Sequence, residues 1–141
     1  MATIFWDTIL FVYLIEENPT WGGRVNELLD WCERYDHTIV TSTLTLGELL
    51  AGPRKRGETG LEEAFRAALR PPYVRLIPFG EGTATIYAEI RARTKIRPAD
   101  AVQLACAADA GVSVFITHDK RLLGQKIPGI DFVVGLDSKL L

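Results

Sequence analysis

The chain has 141 residues, 48% of them apolar, and sixteen Lys and Arg against eighteen Asp and Glu leave a formal charge of -2. That length is one domain's worth and can bury a real core without disulfides or metals. The composition excludes a disordered or collagen-like chain, and the charge argues against a binder that holds nucleic acid by bulk positive charge. Cys32 and Cys106 stand far apart and form neither a zinc-ligand spacing nor a disulfide framework, so a reducing, cytoplasmic setting is expected. Residues 2–15 are strongly apolar, but Asp7 interrupts them and Glu16-Glu17 end them. The run falls short of the roughly 18–20 apolar residues of a membrane span, and no basic segment or cleavage site suggests targeting.

In chain order, Thr3–Trp6 predicts a short buried strand that ends at Asp7, and Thr8–Ile15 a helix apolar all round, buried or covered by a partner. Asn18-Pro19 breaks it. Val25, Leu28, Leu29 and Cys32 recur at helical spacing within Trp21–Tyr35, and His37–Thr41 reads as a β-branched strand. Thr43–Ala51 predicts a helix carrying Glu48 and stopped by Gly52-Pro53, with residues 52–58 a basic loop. Thr59 and Glu62 have the spacing of a capping box, ahead of a helix with Leu61, Ala64, Phe65, Ala68 and Leu69 on one face. After Pro71-Pro72 come a strand at Tyr73–Ile77, a helix at Gly80–Lys95, and a helix opened by Pro98 and closed by Gly111. Ser113–Thr117 is a central-strand candidate, followed by Asp119 and a helical turn, and Asp131–Val134 is a last strand. Strands alternating with helices predict a mostly parallel sheet of four or five strands with helices on both faces, in one domain spanning residues 1–141.

Ligands of open parallel sheets bind beyond the C-terminal strand ends. Asp7 and Asp119 fall at such ends, while Glu48 and Asp100 lie on helices that can face the same crevice. Clustered carboxylates repel one another and raise their own pKa values unless a cation joins them. Oxygen-only donors select a hard ion, Mg²⁺ or Mn²⁺, which can activate water and stabilise charge on a phosphodiester. Taken singly, each acid also has a structural reading. Asp100 can complement a helix dipole, Asp119 can cap the turn after it, and Glu48 can pair with Arg91 or Arg93. Asp7, directly after Ile4-Phe5-Trp6, is the hardest to explain structurally.

The run IFWDTILFVYLIE, the segment TSTLTLGELLAGPRKRG, the stretch RPADAVQLACAADAGVSVFITHDKRL and the final DFVV together resemble a PIN-domain protein, and among these the VapC toxins of toxin–antitoxin pairs. The resemblance runs over nearly the whole chain in the right order. It implies a three-layer α/β/α fold and a Mg²⁺- or Mn²⁺-dependent endoribonuclease that uses metal-activated water and leaves 5′-phosphate and 3′-hydroxyl ends. Asp7, Glu48, Asp100 and Asp119 match the family's acids, as catalytic residues and metal ligands, and Thr117 matches the hydroxyl of the T-N-D motif. Two positions depart from the pattern. Ile9 stands where a small polar residue is common, and His118 replaces the motif's Asn. His118 can be a general base or a histidine that only supports the site, and His37 reads as structural. The resemblance further implies a homodimer inhibited by a VapB-like antitoxin; the short apolar run leads us to expect no membrane association.

The basic residues Arg54, Lys55, Arg56 and Arg97 are candidates for RNA phosphates, or alternatively part of a solvated face. Phe11, Leu14, Trp21 and Trp31, on the first two helices, are candidates for the antitoxin interface. Competing readings are a PIN-like RNA- or protein-binding module without catalysis and a PIN nuclease of RNA processing without an antitoxin. An aspartyl-phosphate phosphatase or receiver domain fits poorly, because Ile9 stands where the former needs an acid and the latter's acidic pair is absent.

Overall fold

Successive residues of the first strand, β1 (Thr3–Trp6), are buried on opposite sides: Ile4 and Trp6 in one hydrophobic core, Phe5 in another. A strand reads this way only when both faces of its sheet are covered. The computed structural model describes residues 1–139, so the last two residues of the expected 1–141 domain lie outside the described residues. After β1 come α1 (Thr8–Ile15), α2 (Gly22–Arg34), β2 (Thr38–Ser42), α3 (Thr43–Arg56), α4 (Thr59–Ala68), β3 (Val74–Ile77), α5 (Glu81–Arg93) and α6 (Pro98–Asp109). β4 (Val114–Thr117), a 3₁₀ turn (Lys120–Leu122) and β5 (Phe132–Gly135) complete the order. All pairings are parallel, in the order β3-β2-β1-β4-β5. The expected α/β/α architecture is therefore present, with five strands.

One core joins Ile4, Trp6, Ile39, Ile116 and Val134 to side chains of α1 to α4, among them Leu10, Phe11, Val25, Leu28, Leu49 and Phe65. The other joins Phe5, Val40, Phe115 and Val133 to α5 and α6, through Ile90, Leu104 and Ala105. Phe5 and Phe115 are register partners, and their rings stack at 4.8 Å and 9°. This aromatic pair, worth about 0.5–1.5 kcal/mol beyond its area, lies beneath the two strand ends where the acids emerge.

Two local expectations are corrected. α3 does not stop at Gly52-Pro53: it runs to Arg56 and turns out of the helix at Gly57, whose φ is 68°. Pro53 costs one N–H donor and crowds the carbonyl one turn back, but its ring is buried. Arg54, Lys55 and Arg56 then sit on the negative end of the helix dipole, so the expected basic loop is largely the last turn of α3. The capping box at Thr59 and Glu62 is also absent. Glu58 is the N-cap residue, with no side-chain cap, and Glu62 is drawn instead to Arg54 at 2.8 Å.

Gly129 combines a φ of 97° with a close approach to α6, where a Cβ would stand 2.8 Å from the Ala108 carbonyl oxygen. Gly47, mid-way along α3, has open space at its Cβ position and no such φ. The same substitution should therefore act with opposite signs. In urea unfolding, Gly129→Ala is expected to lose about 1–3 kcal/mol and Gly47→Ala to gain about 0.5–1 kcal/mol.

Candidate active site

The chain builds β1, β2 and β3 outward to one side, then returns to add β4 and β5 on the other. The strand order reverses between β1 and β4, which opens a crevice beyond their C-terminal ends. Asp7 follows β1 directly, and its N–H donates to the Ile116 carbonyl at 3.0 Å, extending the ladder by one bond. Its carboxylate caps α1, Oδ1 accepting from the Thr8 N–H at 2.9 Å, and Oδ2 accepts from the buried Thr117 hydroxyl at 2.7 Å. Burial pushes the Asp7 carboxyl above its usual range, the two hydrogen bonds oppose this, and the charges of Asp100 and Glu48 add to it.

Asp7, Glu48, Asp100 and Asp119 line one cleft of about 460 Å³, with Thr8, Ile9, Tyr13, Gln103, His118 and Lys120 on its walls. The alternative partners for Glu48 do not apply: Arg93 pairs with Glu89, Arg91 Nη1 donates to the Tyr87 hydroxyl at 3.5 Å, and Glu48 Oε1 accepts from the Thr8 hydroxyl at 2.7 Å. Asp100 lies in the first turn of α6, with Arg97 Nε 3.5 Å away. Asp119 does cap the turn after it, accepting from the Arg121 N–H at 3.0 Å, and the Arg121 side chain grips both its oxygens, Nε at 2.9 Å and Nη2 at 2.6 Å. Its own N–H donates to the Thr117 hydroxyl at 3.1 Å, so Thr117 links the first and last acids.

Beneath Glu48 lies a buried polar network that the sequence reading missed. Gln103, one turn beyond Asp100 on α6, donates through Nε2 to the hydroxyls of Thr45 at 2.7 Å and Thr8 at 3.2 Å. Its Oε1 accepts from the Ser42 hydroxyl, whose oxygen also caps α3 by accepting from the Thr45 N–H at 3.1 Å. Thr41 donates to the Trp6 carbonyl or to Thr45. With both Gln103 amide hydrogens placed on hydroxyl oxygens, the Thr8 proton is free for Glu48, which fixes a carboxylate that is itself exposed. The signal available in sequence was a polar Gln103 in an otherwise apolar helix.

His118 lines the cleft half-buried, its Nδ1 2.9 Å from the Tyr13 hydroxyl and its ring edge-on to Trp21 at 4.5 Å. These contacts hold it as part of the wall. His37 accepts the Ala2 N–H at Nδ1 and packs on Trp31, as a structural residue would. Of the expected RNA contacts, Arg97 stands at the acids. Arg54 and Arg56 are ion-paired to Glu62 and Glu58 at the end of α3, and neither they nor Lys55 line the cleft. Of the expected interface residues, Phe11 is core at 1% exposure. Phe11 and Leu14 also line an apolar groove of about 400 Å³ between α1, α2 and α4, while Trp21 and Trp31 are partly buried against the two histidines.

The four carboxylates suit a hard divalent ion by chemistry, since every acid offers oxygen and no cysteine reaches the cleft. Their arrangement is not a finished cage. Among the described residues no three of His, Cys, Asp and Glu are grouped to hold an ion, and Asp119 is committed to Arg121.

This fold and cleft define the class of protein. A model of the PIN domain matches residues 4–126, and the chain belongs to the PIN-domain family. Its backbone is similar to that of VapBC2 from Rickettsia felis bound to a promoter DNA fragment, with a TM-score of 0.76 at 19% identity over 94% of this chain and 98% of that one. It is also similar to a DNA-bound VapBC from Salmonella typhimurium (0.70, 22%, 96% and 99%) and to a toxin–antitoxin complex from Klebsiella pneumoniae (0.67, 24%, 90% and 94%). At such identities the likeness is one of fold. No curated protein sequence matches the chain. No helix among the described residues is long and apolar enough to cross a membrane.

The network predicts a stability effect that can be measured without any assay. Gln103→Leu removes the acceptor of the buried Ser42 hydroxyl and one donor to Thr45, and is expected to cost about 1–3 kcal/mol in urea unfolding. An unchanged midpoint would mean the network is not closed as described.

Proposed function

We propose that the protein is a divalent-cation-dependent endoribonuclease of the VapC toxin kind, acting in the cytoplasm and neutralised by a VapB-like antitoxin. The observation that carries this reading is the convergence of four acids from four separate segments on one cleft at the topological switch point of a PIN domain. A bound Mg²⁺ or Mn²⁺ would supply activation of the attacking water and neutralisation of the charge that develops on the phosphodiester. Asp7 and Asp100, which line the same cleft from β1 and α6, would be the first ligands. Glu48, oriented by Thr8, completes the set or positions the water. Asp119 is the remaining acid, and Thr117 holds Asp7 in place. Arg97 and Lys120 border the cleft and are the cations suited to the reacting phosphate. Cleavage in this manner leaves 5′-phosphate and 3′-hydroxyl ends.

The antitoxin reading is supported by the groove between α1, α2 and α4. Its lining is apolar except for Glu33, and Trp6, which forms part of it, carries a buried indole N–H with no acceptor among the described residues. A partner segment with apolar side chains and a basic residue for Glu33 suits such a surface. The homodimer implied by the resemblance belongs to the same reading. A second reading, a PIN module without turnover, is favoured by the absence of a ready-made ion cage among the described residues.

Cleavage of total cellular RNA in Mn²⁺ by wild type and Asp7→Asn, with 5′ ends mapped by sequencing, separates the two readings. The nuclease gives discrete 5′-phosphate ends, absent with EDTA and reduced about 100-fold or more in the variant, since losing a ligand should cost at least as much as the roughly 10–100-fold lost with an outer-shell partner. Identical patterns from both proteins would favour the silent module. For the partner, Leu14→Asp places a charge in the groove and should weaken copurification with the antitoxin encoded beside the protein by tenfold or more, about 1.4 kcal/mol. Undiminished copurification would move the interface elsewhere.

A further inference from the structure

Beside the cleft lies a second, smaller cavity of about 190 Å³ whose polar lining is mostly basic: Lys95, Arg97 and Arg121, with Gln125 and the Asp100 carboxylate. Asp100 belongs to both cavities. Arg97 reaches from this side to Asp100 at 3.5 Å and to Asp119 at 3.9 Å, while Arg121 grips both oxygens of Asp119. Two acids of the cleft are thus held by the cations of its neighbour. The grip on Asp119 is the tighter one, and it coincides with the finding that the described acids do not gather into an ion site.

We propose that the basic cavity takes a backbone phosphate of the RNA next to the one being cut, and that Arg121 is a latch between the two sites. The phosphate draws the guanidinium fork off Asp119, and the freed carboxylate turns to the divalent ion. This deepens the nuclease reading and rests on it.

The exchange is chemically close to even. A guanidinium forms the same bidentate pair with phosphate as with carboxylate. Arg121 is 59% exposed, and an ion pair that open to water contributes little to folding, so releasing it costs the structure little. Lys95, Arg97 and Gln125 supply the remaining donors for an anion of phosphate size. Cation and phosphate both favour the open state of the Asp119–Arg121 pair, so each must tighten the other by the same factor. An enzyme built in this way assembles its metal site on RNA rather than in advance.

The test is Mn²⁺ binding to the whole chain, read from the electron-paramagnetic signal of the free ion, with and without a hexadeoxyuridylate strand and corrected for the strand alone. In wild type the strand should tighten Mn²⁺ about fivefold or more. Arg121→Gln should bind Mn²⁺ more tightly than wild type without the strand and lose the coupling. Arg121→Lys keeps the charge but not the fork, and should also gain Mn²⁺ affinity. Arg70→Gln removes an exposed cation that lines neither cavity, and should keep the coupling in full. Lys95→Gln should weaken the strand in EDTA. Coupling that survives in Arg121→Gln, or Arg121→Lys indistinguishable from wild type, overturns the latch in favour of diffuse charge. Binding is read without turnover, so the two readings fail separately. RNA that is never cut while the coupling stands contradicts the nuclease and leaves the latch; RNA that is cut with no coupling does the reverse.

Discussion

The parallel pairing of β1 with β4 is the constraint on which the site depends. Ile4, Phe5 and Trp6 lie opposite Val114, Phe115 and Ile116, and the bond from the Asp7 N–H to the Ile116 carbonyl continues that register one step past the strand. Only in this register does the Thr117 hydroxyl meet the Asp7 carboxylate at 2.7 Å. A slip of one residue would reverse the facing of every side chain along β1, moving Phe5 off its stack with Phe115 and Asp7 off its threonine. The two hydrophobic cores thus specify the placement of a charge as well as burying apolar area. They do so from opposite faces, since Ile4 and Trp6 serve one core and Phe5 the other.

Holding the acids together is electrostatically unfavourable, and the surroundings show how the fold tolerates it. Asp7 is raised chiefly by burial, with two like charges adding to it, and is kept usable by the helix N–H and the threonine that bind its oxygens. Glu48 is exposed but steered by the Thr8 hydroxyl, which donates to it at 2.7 Å. Asp100 and Asp119 are answered by arginines rather than by hydrogen bonds from the core. The site therefore has a buried half around Asp7 and a half-buried part, at Asp100 and Asp119, that is paired with arginines.

Much of this was legible in the sequence. Short apolar runs marked the strands, Pro98 and Gly111 framed α6, and Asp7, Glu48, Asp100 and Asp119 stood out as acids in apolar company. Their convergence followed from the parallel order, since strand ends of a doubly covered sheet share an edge. The failures had local or long-range causes. Pro53 reads as a stop, but a buried ring and a following basic turn let α3 continue to Arg56. Thr59 and Glu62 have the spacing of a capping box, yet Arg54 competes successfully for Glu62. Ser42 and Thr45 are far in sequence from Gln103 and join it in one network only when α6 docks over β2 and α3. Arg121 gave no signal, because an arginine two residues after an acid is ordinary until its fork is seen to close on both oxygens.

The central claim is that the cleft at the β1–β4 switch point is a divalent-cation site built on Asp7 and Asp100. Crystals soaked in Mn²⁺ test it most directly, through anomalous scattering at the manganese edge. The account predicts a peak inside the cleft, coordinated by the Asp7 and Asp100 carboxylates and lost in Asp100→Asn. An empty cleft at saturating Mn²⁺, or a peak bound elsewhere with the acids unchanged, would contradict it.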